Sequence, residues 1–168
     1  MQLCSKTDLA DRIRKRLYGA TGVAVIGVGY ELGSDDGAGL AAAGKVRARL
    51  PGLPVYLTGS APENYTGPVV KAHPSHVVFI DAAELGATVG SIALIDPEEI
   101  KGARFSTHTL PLSTIMAYLE MAIGARSFAI GIQPGREGFG EEVSPAVLAA
   151  AEEVAEAIVT AVEEIKPR

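Results

Sequence analysis

Tryptophan is absent from the 168 residues, and aromatic residues together make up only 5% of them. Proteins that hold single-stranded nucleic acid stack bases on aromatic side chains, so that class is disfavoured. There is no basic surplus either. Lys and Arg number 15 against 20 Asp and Glu, a formal net charge of −5 and the wrong sign for a phosphate backbone. Cys4 is the only cysteine. An intrachain disulfide framework is therefore excluded, and a reducing cytoplasm is the expected setting. No apolar run approaches the ~20 residues of a membrane span. The opening "MQLCSKTDLADRIRKRL" carries charges throughout and lacks the apolar centre of a signal peptide. Internal repeats and low-complexity segments are missing too.

What is present reads as one globular domain, with 48% hydrophobic and 21% charged residues. Five short apolar runs predict buried strands: Val23–Gly29, Val55–Leu57, Val77–Asp81, Ile92–Ile95 and Phe128–Ile132. Helical patterns fall between and around them, over Asp8–Leu17, Ala38–Leu50 and Leu110–Ile123. A final helix is signalled by Ser144 as N-cap, Pro145 at the first helical position, and Val147, Ala151, Val154, Ile158, Val162 and Ile165 at helical spacing. Alternating strands and helices predict a three-layer α/β/α sandwich. The stretch between Asp81 and Ile92 is too short for a helical crossover, which usually takes about a dozen residues or more. The expected sheet is thus five-stranded and mixed, with the fourth strand antiparallel.

The segment "VAVIGVGYELGSDDGAG", Val23 to Gly39, raises the functional question. Gly27 and Gly29 after a strand suggest a dinucleotide loop, but Gly33 comes one residue late for that fingerprint. Asp35 and Asp36 would repel a phosphate from the helix start, and no Gly-Lys-Ser/Thr follows. Two readings stay open. In one, Asp35 caps the helix and Asp36 complements its dipole. In the other, one acid caps and its neighbour enters the cleft at the strands' carboxyl edge, where ligands of open α/β sheets bind.

Asp81, expected to end the third strand, either caps a turn or joins that cleft. Asp96 reads as the N-cap of "DPEE", with Glu99 completing a capping box, and the antiparallel strand puts it at the opposite edge. His73 and His76 are expected in solvent. His108, in "STHTLPLS" just before a helix, can return to the acidic edge. Asp36, Asp81 and His108 form a carboxylate–imidazole set suited to a divalent transition metal. A serine elbow, a Cys–His pair for Cys4 and an H-E-x-x-H helix are all missing.

Five segments in order resemble the hydrogenase maturation endopeptidases, which trim the C-terminus of the [NiFe]-hydrogenase large subunit. They are "GVGYELGSDDGAG", "GSAPEN", "VVFIDAAELGATVGSIALIDPEEI", "STHTLPLS" and "IGIQP", spanning about Val23 to Gly135. "SAPEN", "THTLPL" and "GIQP" look most like the branch serving formate-hydrogenlyase-type hydrogenases. The resemblance implies a single domain over 1–168 with an N-terminal helical extension over about 1–21. It implies nickel ligands at Asp36, Asp81 and His108, with Asp36 and Asp81 as the catalytic candidates of an aspartic-type peptidase. The nickel is the substrate's own, bound transiently as a recognition signal, and no resident organic cofactor is expected. The implied partner is the nickel-loaded large-subunit precursor, met by a cytoplasmic monomer. Two positions depart from the pattern: Tyr30 stands where the family usually has Asn, and Leu57 where it usually has Asp. A non-catalytic binding module of the same fold, or a small-molecule α/β enzyme, are the competing expectations.

Overall fold

The structure, a computed structural model, describes residues 1–105, 110–135, 140 and 142–165. Its centre is made by three apolar strands, β2 (Val23–Gly27), β4 (His76–Glu84) and β7 (Arg126–Ile132), counted after a short β1 (Gln2–Cys4) and before the remaining β3 (Val55–Leu57), β5 (Ile92–Ile95) and β6 (Arg104–Phe105). Strands buried along almost their whole length need cover on both faces. Five helices provide it: α1 (Leu9–Arg16), α2 (Ala38–Arg49), α3 (Thr66–Ala72), α4 (Leu112–Ile123) and α5 (Pro145–Ile165).

The sheet order is β1-β5-β7-β4-β2-β3, with β6 pairing the far end of β4. β3, β2, β4 and β7 are mutually parallel, and β5 is antiparallel to β7, with Ile92 opposite Ile132 and Ile95 opposite Ala129. The expected mixed sheet with its fourth major strand reversed is therefore observed. Side-chain alternation along the strands divides the interior in two. Val25, Val78, Ile80 and Ile130 pack under α1, α2 and α5, and Ile26, Val77, Phe79 and Ala129 pack under α3 and α4.

The strand count is seven rather than five. The N-terminal extension, expected to be helical, also contributes β1, which adds to β5 as an antiparallel edge. Its three residues are too few to show a period. β4 does not stop at Asp81. It continues to Glu84 because β7 pairs it as far as Ala82, opposite Ile132, and β6 takes over at Ala83, opposite Phe105. α3 was not foreseen. It is seven residues long and contains Gly67 and Pro68, both poor helix formers outside the first turn. His76 is not in solvent: it opens β4 and is 6% exposed, with Ser75 Oγ 2.9 Å from its Nδ1.

At the amino edge of the parallel strands, Asp96 does take part in a cap. Its N–H donates to Glu99 Oε1 at 3.1 Å, and Pro97 follows at the first helical position. Its carboxylate is held by Arg16 of α1 through two bonds, Nε to Oδ1 and Nη2 to Oδ2, each 2.8 Å. The pair lies beside Phe128 and Arg126 at the start of β7, so Asp96 sits at the edge opposite Asp81, as the reversed β5 requires.

Candidate functional site

The carboxyl edge of β2 is built by close backbone approach. Val28 N–H donates to Ile80 O at 2.9 Å, and Gly29 N–H donates to Gly59 O at 3.0 Å, tying the glycine loop to β4 on one side and to the turn after β3 on the other. A Cβ on Gly29 would lie 2.1 Å from Asp36 O. A Cβ on Gly39 would lie 2.1 Å from Ile80 O and 2.3 Å from Val28 O. Only glycine permits these contacts. Together they press the loop and the start of α2 onto β4 at the residue just before Asp81.

Between those glycines, a 3₁₀ turn at Ser34–Gly37 carries the two acids. Ser34 holds a left-handed φ of 56°, an uncommon conformation for a residue with a Cβ, and its Oγ donates to Glu142 O at 2.9 Å. The consecutive acids have different surroundings. Asp35 is fully buried. It accepts from Gly135 N–H (Oδ2, 2.7 Å), from Ser144 N–H (Oδ1, 2.7 Å) and from Ser144 Oγ–H (Oδ2, 2.7 Å). Asp35 therefore does not cap α2, as one sequence reading had it. It clamps the segment before α5, and Ser144 turns its hydroxyl to Asp35. Asp36 is half-buried, and its carboxyl lies beside Gly33 together with the ring of Tyr30.

Asp81 is fully buried in β4, opposite Gly131 of β7 and one residue past the last β2 pairing, Gly27 with Ile80. Alternation puts its side chain on the sheet face of Phe79, the face covered by α3 and α4. Both helices begin at the carboxyl edge. The structure thus brings Asp36 and Asp81 to one edge. His108 lies outside the described residues. Among the described residues, no group of three or more His, Cys, Asp or Glu could hold a metal ion.

Gln133, in "GIQP", was not singled out by its sequence. It is 4% exposed, and its Oε1 accepts from Leu85 N–H at 2.6 Å while its Nε2 donates to Glu84 Oε2 at 2.9 Å. It secures the connection that follows Asp81. A polar residue directly after an apolar strand and before proline was the available signal. An open cleft of about 770 Å³ lies between the glycine loop and the turn after β3; Ser34 and Gly37, on either side of the two acids, line it, whereas Asp36 itself does not. Tyr30 and Leu57, the two departures from the family pattern, both line it.

Comparison with known proteins agrees with this fold. A family model described as hydrogenase maturation protease matches residues 46–165. The hydrogenase 3 maturation protease of Escherichia coli K12 is 37% identical over 114 residues, covering 67% of this chain and 72% of that protein. The crystal structure of a [NiFe] hydrogenase maturation protease HycI from Thermococcus kodakarensis KOD1 superposes with a TM-score of 0.83 at 30% identity, over 90% of this chain and 99% of that one. A crystal structure of the hydrogenase 3 maturation protease gives 0.72 at 32% identity, over 80% and 87%. No helix among the described residues is long and apolar enough to cross a membrane. With its sequence matched over most of its length and its fold shared nearly end to end, the chain belongs to the hydrogenase maturation protease family and is a protease.

Proposed function

We propose that the protein completes a [NiFe]-hydrogenase by removing the C-terminal tail of the nickel-loaded large-subunit precursor. Asp36, Asp81 and His108 are the side chains that meet the nickel. The metal is cargo of the substrate, whose own residues supply its remaining ligands, and these three test for its presence. The observation that carries this reading is the Gly39–Ile80 approach, which seats the Asp36 loop against the residue before Asp81. Two carboxylates and an imidazole suit a divalent first-row ion. The similarity to a protein described as a [NiFe] hydrogenase maturation protease supports the choice of substrate. The lone thiol favours the cytoplasm as its place of work.

Peptide hydrolysis needs water delivered to the scissile carbonyl. A carboxylate acting as general base and a metal-polarised water both achieve it. The pH–rate profile of Asp81→Asn beside that of the wild type separates them, because losing a base removes the acid limb of the profile. The central test is a mass measurement on precursor incubated with the enzyme. Nickel-loaded precursor should lose a tail's mass and nickel-free precursor should not. Equal cutting of both ends the recognition role of nickel, and no cutting of either leaves a binding module.

A further inference from the structure

We propose that the cleft beside Asp36 is the subsite for one apolar side chain of the precursor's C-terminal segment, next to the bond that is cut, and that Tyr30 and Leu57 set its selectivity. The proposal rests on the protease reading above. At about 770 Å³ the cleft is of the size that takes a side chain and its flanking backbone. Its walls carry Tyr30, Leu32, Leu40, Leu57, Tyr65 and Val143. Tyr30 and Leu32 are 47% and 51% exposed, an unusual state for two large apolar side chains so close in sequence, and a sign of surface kept for contact.

Three polar groups of the wall are already engaged. Thr58 Oγ donates to Gly27 O at 3.0 Å, Ser34 Oγ donates to Glu142 O at 2.9 Å, and Gly59 O accepts from Gly29 N–H. These three are turned to the protein rather than to an occupant. Charge narrows the choice further. Among the described residues no Lys, Arg or His lines the cleft, and its one charged group is Glu31, so an acidic side chain is rejected.

Adjacency to the chemistry comes from Gly33. A Cβ built there would meet Tyr30 Cδ2 at 3.1 Å and Asp36 Oδ2 at 3.3 Å. The tyrosine ring and the carboxyl thus flank one point of backbone, so Tyr30, which lines the cleft, is the side chain that connects it to Asp36. An Asp at position 57 would put a carboxylate into this wall. Leu57 makes the wall apolar.

The test uses the full-length protein and nickel-loaded precursors of the large subunit. The wild-type cut is first mapped by mass, then each residue flanking it is replaced singly by Asp. Values of kcat/KM are measured for the wild type, Leu57→Asp and Tyr30→Ala. The wild type should reject Asp by about 10–100-fold at one flanking position, the range an apolar pocket supplies. Both variants should shrink that ratio to within about threefold. Thermal melts report folding, and the exposed Tyr30 keeps the test usable if Leu57→Asp does not fold. Unchanged ratios in the folded variants overturn the subsite while leaving the protease standing. Wild type that cuts no precursor overturns the protease reading and the subsite with it.

Discussion

Asp35 and Ser144, 109 positions apart, are joined twice: the carboxylate accepts the serine's backbone N–H on one oxygen and its hydroxyl on the other, both at 2.7 Å. This clamp separates the two acids of the loop. Asp35 holds α5 to the glycine loop and has no route to solvent, and Asp36 is the half-buried acid of the pair. Asp35→Ala strands both buried Ser144 donors and frees Gly135 N–H, and unpaired buried donors cost about 1–3 kcal/mol each. It should destabilise by about 3 kcal/mol or more, a fall in Tm of roughly 6–12 °C for a chain of this size. Asp36→Asn should keep Tm within a few degrees and abolish processing. Calorimetry beside the precursor mass assay checks both, and the reverse pattern would exchange the two roles.

Gly39→Ala probes the seating of the loop. The new methyl carbon would sit 2.1 Å from Ile80 O and 2.3 Å from Val28 O, and rigid backbone cannot yield to it cheaply. Overpacking costs typically 1–3 kcal/mol, and backbone contacts this short should cost about 3 kcal/mol or more. Processing should fall further than stability does, because the Asp36 loop is lifted from Asp81. Gly44→Ala on the same helix meets nothing within 4 Å and is the control. A Gly39→Ala protein with normal melting and normal cutting would sink the proposed seating.

His76 makes stability depend on pH. Burial first, and the Arg126 guanidinium second, hold its imidazole below the ordinary 6.5. As pH falls through 6.5 the unfolded chain takes up a proton that the folded chain still refuses. Stability is therefore full above that value, declines as pH drops towards the lower folded value, and levels off beneath it. Asp11 and Glu152, whose carboxyls are held below 3.8 and 4.5 by hydrogen bonds to Lys15 and Arg49, act only at lower pH. Urea midpoints between about pH 7 and 5 should slope for the wild type and flatten for His76→Gln.

Arg16→Ala removes both bonds to Asp96 at the edge away from the site. The pair is partly exposed, so solvent weakens it, and about 1–2 kcal/mol is expected. The mass assay should show unchanged cutting. A large loss of activity without loss of fold would connect the two edges in a way the site geometry does not contain.

His108→Ala should stop cutting of nickel-loaded precursor as Asp36→Asn does, with the Tm little changed. If the substrate supplies the other ligands, as proposed, the free enzyme should bind added nickel weakly. Equilibrium dialysis against a chelator measures this. Tight stoichiometric metal would make the ion resident.

The sequence carried the fold where periodicity was strong. The apolar runs of β2, β3 and β5 and the register of α5 needed no structure to be seen, though β3 proved a half-buried edge strand rather than a buried one, and the short connection after Asp81 was enough to reverse β5. It failed where meaning came from across the chain. Nothing near Asp35 announces that its partners are Gly135 and Ser144, so the choice between capping acid and clamping acid was not local. His76 looked solvated because its neighbours Pro74 and Ser75 are polar, yet β4 extends by pairing with β7 and draws it in. Asp81 seemed to end a strand because "VVFI" stops there, and β6, which prolongs that strand, is only two residues long. The position of Asp36 at the edge was legible. The contact that fixes it, Gly39 on Ile80, lies between residues on separate elements.

The sheet's two outermost strands, β1 and β3, have three residues each, whereas the inner β4 has nine and β7 seven. Three residues span only about 10 Å. An enzyme that handles a loose peptide tail runs the risk of annealing to it, backbone to backbone, along an open edge. Here neither margin is long enough to zip such a tail into the sheet. A freed peptide has little to cling to, and molecules of the enzyme have little with which to stack upon one another.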